Sequence, residues 1–253
     1  MTAGPGDRVP LALAGRRIVI TRAADQAGPL AERLRRLGAE PVVVPLIEIV
    51  APSDQGVALA AVLQRLAEFD WLVVTSSNGA ALVRDRIAAR SDGGVHRPLV
   101  AAVGVATAGA LGDAGADLTP AMQTAAGLVA VFPDGPGRVL VAQAEDAEPT
   151  LAEGLSAKAW TVEIAAAYRT VPVTPTAQAR TDVVGADAVL FASGSAVRAW
   201  ASAFGQDTPA LVVAIGPTTA RVAAEMGLKV HVTATDNSLD GLVEAVVGSL
   251  RTH

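Results

Sequence analysis

The chain has 253 residues, 51% of them hydrophobic and 18% charged, with a formal net charge of −5, no cysteine, a single tyrosine and three histidines. The lack of cysteine excludes disulfides, thiolate metal sites and a cysteine nucleophile. His96, His231 and His253 are scattered without metal-ligand spacing, and an acidic chain with no basic run and one tyrosine does not suit nucleic acid.

The opening residues hold Asp7 and only the brief apolar run "PLALA", which is not a secretory signal; a cytoplasmic location is expected. Strand 17–21 follows, then helix 25–37 and strand 41–45. The stretch "PLIEIVAP" (45–52) is extended and bounded by proline. Helix 56–67 leads to strand 71–75, and Ser76, Ser77 and Asn78 open helix 77–90. Strand 99–103 ends at Gly104, and helix 105–114 carries Thr107 in its first turn. Strand 138–142, helix 147–157 and strand 160–164 come next, then a second extended stretch, "AYRTVPV" (167–173). Strand 187–191 ends in "ASGS", with Ser193 and Ser195 at the start of helix 195–203. Strand 211–215 ends at Gly216, and Pro217, Thr218 and Thr219 open helix 217–226 before strand 229–232 and helix 238–249. Short apolar strands alternating with helices predict an α/β protein with parallel sheets covered on both faces. The longest uncharged runs, 98–112 and 118–133, fall short of the roughly 20 apolar residues of a membrane span.

The order of elements repeats. "VLVAQAEDAEPTLAEGL" (139–155) follows "IVITRAADQAGPLAERL" (18–34) at an offset of 121, and "DAVLFASGSAV" (187–197) follows "DWLVVTSSNGA" (70–80) at 117. Gly216 falls on Gly104 and Thr219 on Thr107, while "SLDGLV" (238–243) falls on "TAAGLV" (124–129) at an offset of 114. Copies of this length indicate a duplication into a pair of lobes rather than a solenoid. Offsets alone leave two arrangements open, sequential lobes or an exchange of the opening strand–helix–strand unit. The two extended stretches occupy equivalent points of the copies and read as linkers between lobes, with edge strands as the alternative.

Four strands, 71–75, 99–103, 187–191 and 211–215, end in turns of Gly, Ser, Thr or Asn. A residue of this kind at a helix start is usually an N-cap, yet such turns in matched positions also present backbone N–H groups and hydroxyls suited to a carboxylate or phosphate. In doubly covered parallel sheets, ligands bind beyond the carboxyl ends of the strands. The turns carry neither GxGxxG nor GxxxxGK[ST], which disfavours a nucleotide site.

Taken together in order and spacing, "IVITRAADQAGPLAERLRRLGAEPVVVPLIEI", "FDWLVVTSSNGA", "VAAVGVATAGAL", "AYRTV", "FASGSAVRAW" and "AIGPTTARVAAEMGL" resemble uroporphyrinogen-III synthases from Ile18 to Val246. The resemblance implies two α/β lobes joined by a two-stranded linker, with the N-terminal βαβ unit crossing to the C-terminal lobe: 1–45 and 174–253 in one lobe, 50–166 in the other, and 45–52 and 167–173 between them. It implies closure of the linear tetrapyrrole hydroxymethylbilane with loss of water and inversion of ring D. No cofactor, no metal and no macromolecular partner is implied, and a monomer is expected. Tyr168 matches the family's linker tyrosine, which assists departure of the hydroxyl. Thr107 and Thr219 match its cleft threonines. Ser76, Ser77, Asn78, Gly104, Ser193, Ser195, Gly216 and Thr218 match turns that would hold acetate and propionate groups. Thr21 and Arg22 follow the first strand, Arg22 being the strongest cationic candidate. Ala23 stands where the family often has proline, and Ala192-Ser193-Gly194-Ser195 where it often has Thr-Ser-Pro-Ser. A non-catalytic tetrapyrrole- or anion-sensing domain is the alternative reading.

Overall fold

The computed structural model describes residues 11–88 and 97–251, with the backbone alone at Arg86. The first ten residues, the predicted helix end at 89–90, His96 and His253 lie outside the described residues. In chain order the elements are β1 (Arg17–Ile20), α1 (Gly28–Arg36), β2 (Glu40–Val43), β3 (Ile47–Val50), α2 (Val57–Gln64), β4 (Trp71–Val74), α3 (Ser77–Ala88), β5 (Leu99–Ala102) and α4 (Val105–Ala110). There follow α5 (Ala125–Val131), β6 (Gly137–Ala144), α6 (Thr150–Ala157), β7 (Trp160–Pro172), α7 (Ala177–Val183), β8 (Ala188–Phe191), α8 (Gly194–Phe204), β9 (Leu211–Ala214), α9 (Pro217–Glu225), β10 (Val232–Thr233) and α10 (Leu239–Leu250).

Two compact units result: Met1–Glu48 with Val171–His253, and Ile49–Thr170. The first unit holds a sheet in the order β10-β9-β8-β1-β2. Its pairs are parallel, with Val19 beside both Val42 and Val189, and Val189 beside Val212. The second holds the order β3-β7-β6-β4-β5, in which β4 to β7 pair in parallel and Val73 lies beside Ala101 and Val141. Mapped through the sequence repeat, β7-β6-β4-β5 is the same order as β2-β1-β8-β9. The short β10 corresponds to Leu118, which makes only an isolated bridge to Ala101.

The central strands β4 and β8 are short runs of apolar residues buried on both faces. Trp71, Leu72, Val73 and Val74 are all buried, as are Ala188, Val189, Leu190 and Phe191. In the second unit Leu72, Val74, Leu140 and Ala142 pack with Ala80, Val83 and Ile87 of α3. The alternate residues Trp71, Val73, Val139 and Val141 pack with Leu128, Phe132, Leu151 and Leu155 of the α5–α6 side. In the first unit Ile18, Ile20 and Leu190 meet Leu30 and Leu34 of α1 and Leu242 and Val246 of α10.

The repeat is kept at the level of single hydrogen bonds. Asp187 accepts the Arg17 N–H and Asp70 accepts the Arg138 N–H, each at 2.8 Å, so one carboxylate in each unit ties the start of a central strand to its neighbour. Thr124 accepts the Gly127 N–H and Ser238 the Gly241 N–H, each at 3.0 Å, capping α5 and α10 at matched positions.

Three elements differ from the expectation. Helices α5 and α7 stand in segments read as irregular; α7 is capped by Thr176, which accepts the Ala179 N–H at 3.1 Å, and buries no residue. The predicted strand 160–164 runs on through the second extended stretch as a single long β7. Its hydrogen-bonded neighbour is β3, within the first extended stretch and at the sheet edge. Leu46 O accepts the Val173 N–H, and Ala51 O accepts the Arg169 Nε–H; partner numbers fall on one segment as they rise on the other, an antiparallel pairing. The unit boundaries, at 48/49 and 170/171, lie within these segments. Among the described residues, no helix is long and apolar enough to cross a membrane.

Candidate functional site

The predicted residues cluster at the carboxyl ends of the strands, in two separate sets. In the second unit β4 ends before Ser76, whose Oγ accepts the Gly79 N–H at 3.2 Å and so caps α3. Ser77 is exposed, and Asn78 is half-buried. Tyr168 on β7 is half-buried against the α3 face of the sheet. Ser76 and Asn78 lie beside its phenol, which joins three of the predicted residues in one cluster. Burial raises the phenol pKa above its ordinary value, Ser76 and Asn78 pull it back and nearby Asp146 adds to the rise. The phenol therefore keeps its proton at neutral pH.

Gly104 is extended and precedes α4. Gln123 lies over it: Oε1 accepts the Val105 N–H at 2.9 Å, and a Cβ on Gly104 would sit 2.8 Å from that oxygen. Thr107, one turn into α4, is only 5% exposed.

The first unit repeats the pattern. Ser193 Oγ accepts the Ala196 N–H at 3.2 Å and caps α8; Ser195 is half-buried. Gly194 lets α8 and α9 approach, since a Cβ there would lie 3.0 Å from Val222. Gly216 is buried and extended before α9, and the Asn237 amide crosses it so closely that a Cβ would sit 1.8 Å from Oδ1. Thr218 is exposed and Thr219 is 5% exposed.

Thr21 departs from its expected role as a substrate contact. It is fully buried, and its hydroxyl donates to Leu190 O at 3.1 Å, so it serves the junction of β1 and β8. Arg22 is not a solvated surface arginine. It is half-buried, donates from Nη2 to Gln26 Oε1 at 3.2 Å, and holds a buried Nε without a hydrogen-bond partner. Burial lowers its pKa, with Asp25 acting against the shift.

Gln123 and Asn237 were not among the residues expected at the turns. Their signal lies in the repeat: the offset of 114 that sets Ser238 on Thr124 also sets Asn237 on Gln123. Among the described residues, no three His, Asp or Glu side chains are grouped as a metal ion needs.

The family model for uroporphyrinogen-III synthase HemD matches residues 28–244. The uroporphyrinogen-III synthase of Synechococcus elongatus (strain ATCC 33912 / PCC 7942 / FACHB-805) is 32% identical, over 92% of this chain and 95% of its own. The chloroplastic uroporphyrinogen-III synthase of Oryza sativa subsp. japonica is 28% identical, over 93% of this chain and 81% of its own. A mutant uroporphyrinogen III synthase of the extremely thermophilic bacterium Thermus thermophilus shares the fold, with a TM-score of 0.63 at 17% identity over 94% of this chain and 100% of that one. By this family match, and by a full-length relative of that kind, the chain belongs to the uroporphyrinogen-III synthases, cyclising lyases of tetrapyrrole biosynthesis.

Proposed function

We propose that this chain closes hydroxymethylbilane to uroporphyrinogen III, releasing water and inverting ring D, with no added metal or cofactor. The observation that carries the reading is Tyr168, the single tyrosine of the chain. It is half-buried at the end of a sheet beside Ser76 and Asn78, and burial keeps it in its protonated form. The phenol donates a hydrogen bond to the departing hydroxyl, which leaves as water with a proton as the C–O bond breaks. The resulting azafulvenium cation is attacked by the substituted α-carbon of ring D, giving a spiro intermediate; the bond from that carbon to its original methylene bridge then breaks, the freed methylene bonds to the unsubstituted α-carbon of ring D, and that carbon loses its proton to give the inverted ring. Because the electron-rich pyrrole expels the hydroxyl readily, a weak acid suffices, and most of the work is positioning of the chain ends.

The turns supply that positioning. The substrate carries acetate and propionate groups, and the backbone N–H groups and hydroxyls of the turns around Ser77, Gly104, Thr107, Ser195, Gly216, Thr218 and Thr219 suit them. Ser76 and Ser193 keep their oxygens on helix N–H groups and act through the shape of their turns. Arg22, with its unused buried N–H, is the cation we assign to a carboxylate. We also propose that the protein works as a monomer in the cytoplasm and binds no nucleic acid.

The test is the rate of closure of freshly generated hydroxymethylbilane in the presence of a chelator. A rate well above the spontaneous one is expected. A rate equal to the spontaneous one, with tight binding of the tetrapyrrole, would favour the sensing alternative.

A further inference from the structure

The segment after α4 runs alongside β5, the segment after α9 runs alongside β9, and each reaches both ends of its strand. At the start of β5, Val100 O accepts the Asp117 N–H and Asp117 Oδ2 accepts the Val100 N–H, each at 2.7 Å. At the start of β9, Val212 O accepts the His231 N–H at 2.9 Å and His231 Nδ1 accepts the Val212 N–H at 3.1 Å. Past the other end of each strand, Gln123 lies across Gly104 and Asn237 across Gly216. The offset of 114 sets His231 on Asp117 as it sets Asn237 on Gln123. The side chain at the strand start is thus a carboxylate in one copy and an imidazole in the other, whereas an uncharged amide stands over the glycine in both.

In the second unit the lack of charge extends beyond the amide. Residues 98–112 and 118–133 hold no charged side chain, and the bond from the Val105 N–H to Gln123 Oε1, 2.9 Å long, brings these two runs together. Val105 and Met122, beside that bond, are 65% and 66% exposed, so both runs meet solvent here. In the first unit Asp236 stands where Met122 does, its Oδ2 accepting the Ser238 hydroxyl at 2.5 Å; the uncharged turn is a feature of the second unit. Capping alone does not call for glutamine, because a carboxylate accepts an N–H more strongly than an amide does. Resting on the proposed recognition of carboxylates at the turns, we infer that Gln123 is a specificity-determining residue: it holds the turn at Gly104 through an uncharged acceptor, so that a substrate bearing acetate and propionate groups approaches it without repulsion. Its oxygen serves the protein's own Val105 N–H, and what it gives the substrate is a turn without negative charge.

The test changes charge at nearly constant shape. Gln123→Glu keeps an oxygen for the Val105 N–H and adds one negative charge. KM for freshly generated hydroxymethylbilane should rise about tenfold at low ionic strength, as for a like charge a few ångströms from a carboxylate at a protein surface, and the rise should shrink in about 0.5 M salt. The kcat should stay nearly unchanged, because the repulsion acts on bound substrate and transition state alike. Met122→Glu puts the charge on the same turn from an exposed side chain, without touching the bond, and should raise KM in the same direction; Met122→Gln should not. Asp117→Asn removes a charge at the far end of β5 and should leave KM as it is. An unchanged KM in both glutamate variants would overturn the inference. So would a rise undiminished by salt, or one matched by Met122→Gln, either of which would make the effect one of shape. Binding of uroporphyrin III, a stable tetrapyrrole with the same acidic side chains, is read by its fluorescence in the same proteins and needs no turnover. A wild type without turnover would defeat the cyclisation reading, while the Kd values still decide the role of Gln123: weaker binding by both glutamate variants supports it, and equal binding overturns it.

Discussion

At the scale of single residues, Tyr168 separates chemistry from packing. A general acid typically contributes 10²–10⁴ in rate, and a leaving group that departs readily needs little of it. Tyr168→Phe is therefore expected to lower kcat by about 10² or less, with the melting temperature nearly unchanged; unaltered kcat would return the side chain to a packing role. The raised phenol pKa also fixes a sign. The folded state resists ionisation more than the unfolded chain, so this stabilising term is present at neutral pH and is lost as pH rises past the ordinary phenol value of about 10. Stability above that pH should fall less steeply in Tyr168→Phe than in the wild type, read as the denaturant midpoint at successive pH values. Asp187 gives a purely structural counterpart. It accepts the Arg17 N–H and pairs with the half-exposed Arg16, each at 2.8 Å. Asp187→Ala should cost about 1–3 kcal/mol, chiefly for the orphaned N–H, since so exposed an ion pair adds little.

At the scale of elements, the duplicated caps of α5 and α10 make a prediction about glycine. A Cβ on Gly127 would lie 2.0 Å from Met122 O, and one on Gly241 would lie 2.1 Å from Asp236 O. Alanine at either position should destabilise by about 1–3 kcal/mol. Gly248, further along α10, has nothing within 4 Å of such a Cβ, and alanine there should stabilise by about 0.5–1 kcal/mol. Urea midpoints of Gly241→Ala and Gly248→Ala should thus move in opposite directions within one helix; a shift of the same sign in both would refute the steric argument. These helices also mark what the chain discloses before folding. Strands were legible because buried parallel strands read as unbroken β-branched runs. Helix α5 was not, although Thr124 falls on Ser238, because its uncharged surroundings contain Gly and Pro and show no apolar stripe. Helix α7 buries nothing, so no periodicity marks it. The length of β7 was hidden for a related reason: its burial is irregular, and a bulge breaks the period just before Tyr168. At the site, the hydroxyl-bearing turns were visible, but the amides of Gln123 and Asn237 that cover them act across 18 and 21 residues and were noticed only through the structure.

At the scale of the whole molecule, the duplication accounts for the architecture. Both sheets keep one strand order, and the βαβ unit at the N-terminus lies beside β8 rather than β4, a choice of partner that repeat offsets do not encode because either copy offers an equivalent edge. The same two-fold plan repeats the rows of turns that we assign to carboxylate recognition, while Tyr168 has no counterpart in the other copy. A site built for positioning, with one weak acid, should control which product forms more than it lowers a large barrier. The direct measurement is the isomer made from hydroxymethylbilane carrying a 13C label in ring D, identified by NMR of the oxidised porphyrin. The account predicts the type III product, with ring D inverted, as the dominant isomer. The type I product alone, formed by simple head-to-tail closure, would contradict it.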